Sequence, residues 1–490
     1  MSKKLKIITI ASEIAPFAKT GGLADVARSL SKALVRQGHE VVAIMPFYEQ
    51  VIDKDKHKLK LVHKNVKIYL GGQAVATVNY WQGYLMDNLP LYFVEHKKYF
   101  GQKKTLYGSD KENSRFLLFD AAALNLILLL QLKPDIIHCH DWQTGLIPQL
   151  IKTDFSYAKD LKNARTVFTI HNLVFQLGHN WWEVPLAKKD YGKKKLPGLH
   201  SPELENINFA KRAIMQADII NTVSEQYKIE IMTKNFGQDL HQILRRRADR
   251  LFGIVNGIDY NEYNPEKDSS LFKNYNYTSV QNKAANKIHL QKKVGLPLDD
   301  DAPLLALTSR VVFQKGFALF FKILAALLKL EVQVLILGDG DKQYITQLKK
   351  AGKTHPHKIV WLPFKDNAGL ETMVYAGADL FLLPSHHEPC GINQLIAMRY
   401  GCIPVVRSVG GLYDTVTNYN PKTNRGNGFS FSSFNEWSLF ATIIRALENY
   451  RHQNTWHGLV SRAMRQSNSW EIPAHKYVSL YRLALKQKTL

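Results

Sequence analysis

Short β-branched and aliphatic runs alternate with helical patterns along most of this chain, and that alternation constrains the fold more than any other feature. Residues 5–11 form a continuous apolar run, as a strand needs when both faces of its sheet are covered. After a loop, Leu23, Val26, Ala27, Leu30 and Leu34 recur at helical spacing until Gly38 supplies a stop. Further strands are expected at 41–45, 134–140, 165–171 and 217–223. Residues 256–300 are rich in Asn, Lys and Asp with little periodicity, and the pattern then restarts, with strands expected at 304–308, 332–337, 359–362, 379–383 and 403–406. Repetition of strand, loop and helix gives parallel sheets covered by helices. The chain therefore reads as α/β, with two doubly wound, Rossmann-like domains facing across a cleft. The domains are expected over 1–255 and 256–471, followed by a helical segment 472–490 that packs back on the N-terminal domain. A length of 490 residues agrees, because single cores stop growing near ~250–300 residues. In such sheets ligands bind beyond the carboxyl ends of the strands, where the strand order reverses.

Charge and cysteine use narrow the function. The 65 basic and 42 acidic residues leave a net charge of +23. The basic clusters at 54–60, 188–195 and 245–247 lie on polar segments without interleaved aromatics, so no nucleic acid partner is expected. A solvated surface with some attraction for anionic ligands is the better reading. Cys139, Cys390 and Cys402 show no CxxC spacing, which suits a reducing compartment. The apolar run at 7–11 is cut short by Ser12 and Glu13, and the stretches 116–132 and 319–338 are interrupted by polar residues. Neither an export signal nor a membrane span is expected, and the location reads as cytoplasmic.

Four loops at strand ends carry residues suited to chemistry. The first holds Lys19, Thr20, Gly21 and Gly22 ahead of a helix, where backbone amides and a lysine suit an anion. It lacks Walker A spacing. The second holds Arg310 and Lys315, two cations suited to a diphosphate. In the third, Glu388 lies above a helix start and suits sugar or ribose hydroxyls, with Cys390, Gly391 and Asn393 beside it. The fourth set comprises His138, Cys139, His140, Asp141 and Trp142 with His171 and Asn172. A polar substrate wall is the better reading there than a zinc site, since His138, Cys139 and His140 cannot all converge on one ion from one strand. Asp339 and Asp341 read as a strand-to-helix turn with an N-cap rather than a metal-holding DxD. GxSxG and GxGxxG are absent, which removes a serine hydrolase elbow and most support for a nicotinamide enzyme. One internal echo remains: Gly21, Gly22, Leu23 and Asp25 are matched by Gly410, Gly411, Leu412 and Asp414. Turn-making glycines and a helix-start aspartate explain it as well as a ligand does.

Taken together, Lys19 to Val26, His140-Asp141-Trp142, His171-Asn172, Gly253 to Asp259, Ser309-Arg310 with Gln314 to Gly316, Glu388 to Gly391, and Arg407 through Leu412 resemble the bacterial glycogen synthase and plant starch synthase family in order and in nearly full length. The resemblance implies a GT-B fold and a retaining glucosyltransferase that moves glucose from ADP-glucose to a glycogen or malto-oligosaccharide acceptor, without a metal or other cofactor. It implies that Lys19, Arg310 and Lys315 neutralise the diphosphate, helped by amides near Gly21, Gly22, Gly391 and Asn393. Glu388 would hold donor hydroxyls, with Cys390 lining the same pocket. Asp141, His171, Asn172 and Asn256 would surround the transferred glucose, with Asp25 and Tyr107 in the same shell. Several positions depart from the family. Ile396 stands where the wider GT-B motif has a second glutamate, which this family usually lacks too, while Phe175 replaces a tyrosine, Leu177, Gly178 and His179 alter the next turn, and Asn393 stands for threonine. Asp366 occupies a place where relatives carry a base-stacking aromatic, with Phe364 the nearest ring. UDP-glucose as donor, another acceptor, and a non-catalytic glucan-binding protein are therefore the alternatives.

Overall fold

The computed structural model describes residues 3–102, 104–176 and 184–487, so Leu177, Gly178 and His179 lie outside the described residues. The chain divides into a first unit, Met1–Asn256 with Trp470–Leu490, and a second unit, Gly257–Ser469.

In the first unit β1 (Lys6–Ile10), β2 (Glu40–Pro46), β3 (Lys60–Leu70), β4 (Gln73–Met86), β5 (Leu89–Glu95), β6 (Ile136–His140), β7 (Arg165–Ile170), β8 (Ile219–Thr222) and β9 (Leu251–Gly253) form one sheet in the order 3-4-5-2-1-6-7-8-9. Pairing is parallel from β5 to β9, while β4 and β3 extend the β5 edge antiparallel. The strand order reverses between β1 and β6, and both strands end in loops named above. Helix α1 (Gly22–Arg36) carries its apolar residues on one face and stops at Gly38, whose φ of 88° turns the chain. Val26, Leu30 and Leu34 bury against Ile7 and Val41 on one side of the sheet. The C-terminal helix Glu471–Lys486 completes this cluster with Ala474, Tyr477, Val478, Tyr481 and Ala484. Each fully buried valine, leucine or isoleucine of this cluster stabilises the unit by about 1.5–3 kcal/mol. The opposite face is covered by Glu112–Leu129, whose Phe116, Phe119 and Leu126 are wholly buried.

The second unit has β10 (Leu304–Thr308), β11 (Gln333–Leu337), β12 (Ile359–Leu362), β13 (Leu380–Leu383), β14 (Ile403–Arg407) and β15 (Phe429–Phe431), all parallel, in the order 12-11-10-13-14-15. That is the doubly wound dinucleotide-binding order, with its reversal between β10 and β13.

Two expectations need correction. The unit boundary falls after Asn256, and Trp470 and Glu471 belong to the first unit rather than the second, because the Trp470 ring is buried in the cluster of α1 and the C-terminal helix. The region 256–300 also holds a helix, Lys283–Val294. Its buried face is polar: Lys283 Nζ donates to the carbonyls of Tyr375, Ala376 and Ala378, and Lys287 pairs with Asp379 at 2.9 Å. Among the described residues no helix is long and apolar enough to cross a membrane.

Candidate active site

Each unit presents a cluster of polar side chains where its strand order reverses. In the first unit the loop after β1 carries Glu13, which is buried beneath the anion-suited turn. Its Oε2 accepts the Thr20 amide at 2.6 Å and the Thr20 hydroxyl at 2.8 Å. Burial pushes the Glu13 carboxyl up to about 7, with the Asp25 charge adding to the rise and the Thr20 and Gly21 bonds opposing it. Part of the amide array expected to meet a ligand is thus held by the protein's own carboxyl. Lys19 is half exposed and pairs with Asp25 at 2.8 Å. Gly21 begins α1 with a φ of −158°, and no atom stands within 4 Å of where a Cβ would lie. Gly22 is the first residue of the helix.

Asp141 follows β6 with φ 60° and ψ 175°, a conformation almost reserved for glycine. Backbone strain of this kind costs about 1–3 kcal/mol and persists where neighbours over-determine it. Here they do. The Asp141 amide donates to Thr169 O at 2.9 Å, its carbonyl accepts from the Thr144 amide and hydroxyl, and its Oδ1 accepts from the His171 amide at 2.8 Å and from Gln176 Nε2 at 2.6 Å. Burial pushes this carboxyl up to about 7, and the charge of Glu13 adds to the rise. His171 Nε2 lies 2.9 Å from His140 Nδ1, and burial holds the His171 imidazole down at about 3. Asn172 uses its side-chain oxygen to cap the short turn after β7 through the Val174 amide. Tyr107 bonds Ser12 Oγ at 2.8 Å and feels the charges of Glu13 and Asp141. Asn256 stands apart, beyond the edge strand β9; it is buried and its Oδ1 has no partner among the described residues. His138 does not offer free ring nitrogens. Its Nε2 bonds Thr169 Oγ1 at 2.7 Å and its Nδ1 bonds the Tyr481 hydroxyl at 2.8 Å.

In the second unit Lys315 Nζ reaches Glu388 Oε2 at 2.6 Å, and Ser385 Oγ donates to the same oxygen at 3.1 Å. The cation and carboxylate expected to act on different parts of a ligand are paired with each other here. Arg310 is exposed and donates to Gln314 Oε1 at 3.2 Å, while Gln314 Nε2 donates to His387 O. Burial holds the His387 ring down at about 4, with the Lys315 and Arg310 charges acting in the same direction and Glu388 opposing. Cys390 is buried and Gly391 adopts a φ of 71°. The Asn393 Nδ2 donates to Thr308 O at 2.7 Å, so the side chain ties the helix start to β10. Asp341 occupies an N-cap position without a side-chain cap bond, and Asp339 instead accepts the Lys365 amide at 3.0 Å. Gly410 and Gly411 lie under this cluster. A Cβ on Gly410 would fall 2.0 Å from Glu388 O, and one on Gly411 would fall 2.0 Å from Cys390 O. Phe364 and Asp366 are both exposed.

Sequence reasoning missed Glu13 and Gln176 as site members. Glu13 was open to detection, as a carboxyl in the loop after the first buried strand; Gln176 enters only through the turn that folds it back on Asp141.

The starch synthase catalytic domain family matches residues 6–246, and the glycosyl transferases group 1 family matches residues 290–458. The chain is 41% identical over 492 residues to a glycogen synthase of Syntrophotalea carbinolica, covering 98% of this chain and 99% of that one. It is 41% identical over 485 residues to a glycogen synthase of Clostridium perfringens, covering 99% of each. The structure is similar to the catalytic domain of starch synthase IV from Arabidopsis thaliana bound to ADP and acarbose, with a TM-score of 0.87, 33% identity, and coverage of 99% and 100%. A sucrose-phosphate synthase from Thermosynechococcus elongatus, 17% identical with a TM-score of 0.60, shares the fold.

Proposed function

The chain belongs to the starch synthase and glycogen synthase family, a glucosyltransferase of GT-B fold and glycogen synthase type, and we propose that it transfers glucose from ADP-glucose to the non-reducing end of an α-1,4-glucan with retention of configuration. The observation that carries this reading is full-length likeness to glycogen synthases at 41% identity. The ADP and acarbose bound by the starch synthase IV domain support a nucleoside diphosphate donor and a glucan acceptor.

In this reading the second unit holds the nucleotide end of the donor. Breaking the glucosyl C1–O bond leaves negative charge on the departing diphosphate, and preorganised cations lower that barrier most directly. Arg310 and Lys315 take this role. Lys315 exchanges part of its pairing with Glu388 for phosphate oxygens, which frees Glu388 to accept hydrogen bonds from donor hydroxyls. The first unit serves the glucosyl group through Asp141, His171 and Asn172, with Asn256, Tyr107 and Asp25 as further contacts, while Lys19 meets an anion once it leaves Asp25. Chemistry resting on fixed cations proceeds without a metal or other cofactor, and three unbridged buried cysteines suit work in the reducing cytoplasm.

The test is incorporation of labelled glucose into glycogen from ADP-glucose and, separately, from UDP-glucose. Efficient transfer from ADP-glucose is expected; transfer from UDP-glucose alone would refute the donor. The exposed Asp366 offers no ring to stack on either base, so this position does not choose between the two donors.

A further inference from the structure

We infer that His140 is a positioning residue that dictates which nitrogen of His171 carries the proton, so that His171 presents an Nδ1–H donor to the sugar. The inference rests on the function proposed above, in which His171 faces the transferred glucose. The two rings meet through His140 Nδ1 and His171 Nε2 at 2.9 Å, and one proton lies between them. Both rings are neutral, since burial lowers both and His140 also feels its histidine neighbours. If His171 Nε2 donated, the proton of His140 would have to sit on Nε2. That nitrogen is buried and has no partner among the described residues. An orphaned buried N–H is the rarer and costlier arrangement, whereas a bare lone pair is better tolerated. The proton on His140 therefore sits on Nδ1 and points at His171, whose own proton is left on Nδ1, in a residue that is itself only part-buried.

The rest of the network holds His140 in that role. His138, two residues earlier on β6, lies with its ring centroid 4.0 Å from that of His140. Both His138 nitrogens are anchored, one by Thr169 Oγ1 on β7 and one by the Tyr481 hydroxyl of the C-terminal helix. The backbone register sets His140 opposite Thr169, two residues before His171.

Two variants and one spectrum test this. In His140→Asn the amide nitrogen replaces Nδ1 as donor; in His140→Leu no donor remains. His140→Leu is expected to lower kcat by about tenfold to a hundredfold with donor KM moving less than about threefold, the pattern of a misplaced transition-state contact. His140→Asn should stay within about fivefold of the parent. Equal losses in both variants, or a better-preserved His140→Leu, would mean that His140 only fills space. Histidine ¹⁵N NMR of the unsubstituted full-length chain, assigned by the resonance that vanishes in His171→Asn, should show His171 as the Nδ1–H tautomer; the Nε2–H tautomer would overturn the inference. That spectrum needs neither turnover nor a foldable variant. A chain inactive on ADP-glucose would sink the function while leaving the tautomer question answered.

Discussion

The echoed Gly-Gly-Leu-x-Asp stretch lies at the reversal of the first unit and beside that of the second, and the two copies do opposite things. Around Gly21 there is open space, and the aspartate of that copy faces a half-exposed lysine. Beneath Glu388 and Cys390 the second copy is closed on its own protein: Gly410 and Gly411 are buried, and the Gly411 amide donates to Glu388 O at 3.1 Å. One sequence pattern thus leaves room for a ligand in one unit and supports a loop in the other.

The largest effect should come from filling the closed copy. Gly411→Ala sets a Cβ 2.0 Å from a backbone carbonyl that cannot swing away. Overpacking against backbone predicts a loss of about 3 kcal/mol or more, read as a fall in thermal midpoint with loss of transferase activity. If Gly411→Ala melts like the parent, the second copy is not a scaffold and the contrast fails.

Next is a substitution that should spare the scaffold and remove the chemistry. Lys315→Ala deletes a partly exposed cation while Ser385 still holds Glu388. Turnover should fall about a hundredfold, or ~2.7 kcal/mol of barrier, with little change in melting. Unchanged kcat would remove Lys315 from the donor site.

Much of this arrangement was legible in the sequence, and the failures share a cause. The ten expected strands were found because each is a mostly apolar run, nearly all of them buried on both faces; the edge strand β12 is only partly buried. The antiparallel strands β3 and β4 went unread because few of their positions are fully buried and they mix Lys, Tyr, Gln and Val without a clean run. The helix Lys283–Val294 went unread because its inward face is built of lysine and amide side chains, satisfied by carbonyls almost a hundred residues away. Lys19, Asp141, His171, Arg310, Lys315 and Glu388 could be picked out by position, at strand ends near the reversals. Who pairs with whom could not: the ion pair of Lys315 with Glu388, the tie of Asn393 to Thr308 and the capture of Thr20 by Glu13 all depend on distances that spacing does not encode.

A smaller effect probes how dry the open copy is underneath. The folded chain holds Glu13 up at about 7, above its ordinary 4.5. Below pH 4.5 the carboxyl is neutral in both folded and unfolded chains and contributes nothing. From 4.5 to 7 the unfolded chain releases the proton first, so wild-type stability from this group declines as pH rises, and above 7 the full penalty of a buried charge remains. Glu13→Gln has no such decline. Its stability relative to the parent should therefore improve between pH 4.5 and 8, by on the order of 3 kcal/mol, in chemical denaturation at each pH. Asp141, raised in the same way, supplies a background common to both proteins. A difference independent of pH would show that Glu13 is ordinary and solvated.

The smallest effect on stability is the most discriminating, because it separates the copies by a single methyl group. Gly21 has extended backbone that any residue adopts, so Gly21→Ala brings no strain, and its Cβ meets nothing. Loss of backbone freedom in the unfolded chain should hold stability within about 0.5 kcal/mol of the parent or raise it slightly. If the open space is where an anion approaches the helix start, the same methyl group blocks it, and donor KM should rise about tenfold while kcat moves less. A variant as stable and as active as its parent would show that the space around Gly21 is merely surface, and the two copies would then differ in packing but not in purpose.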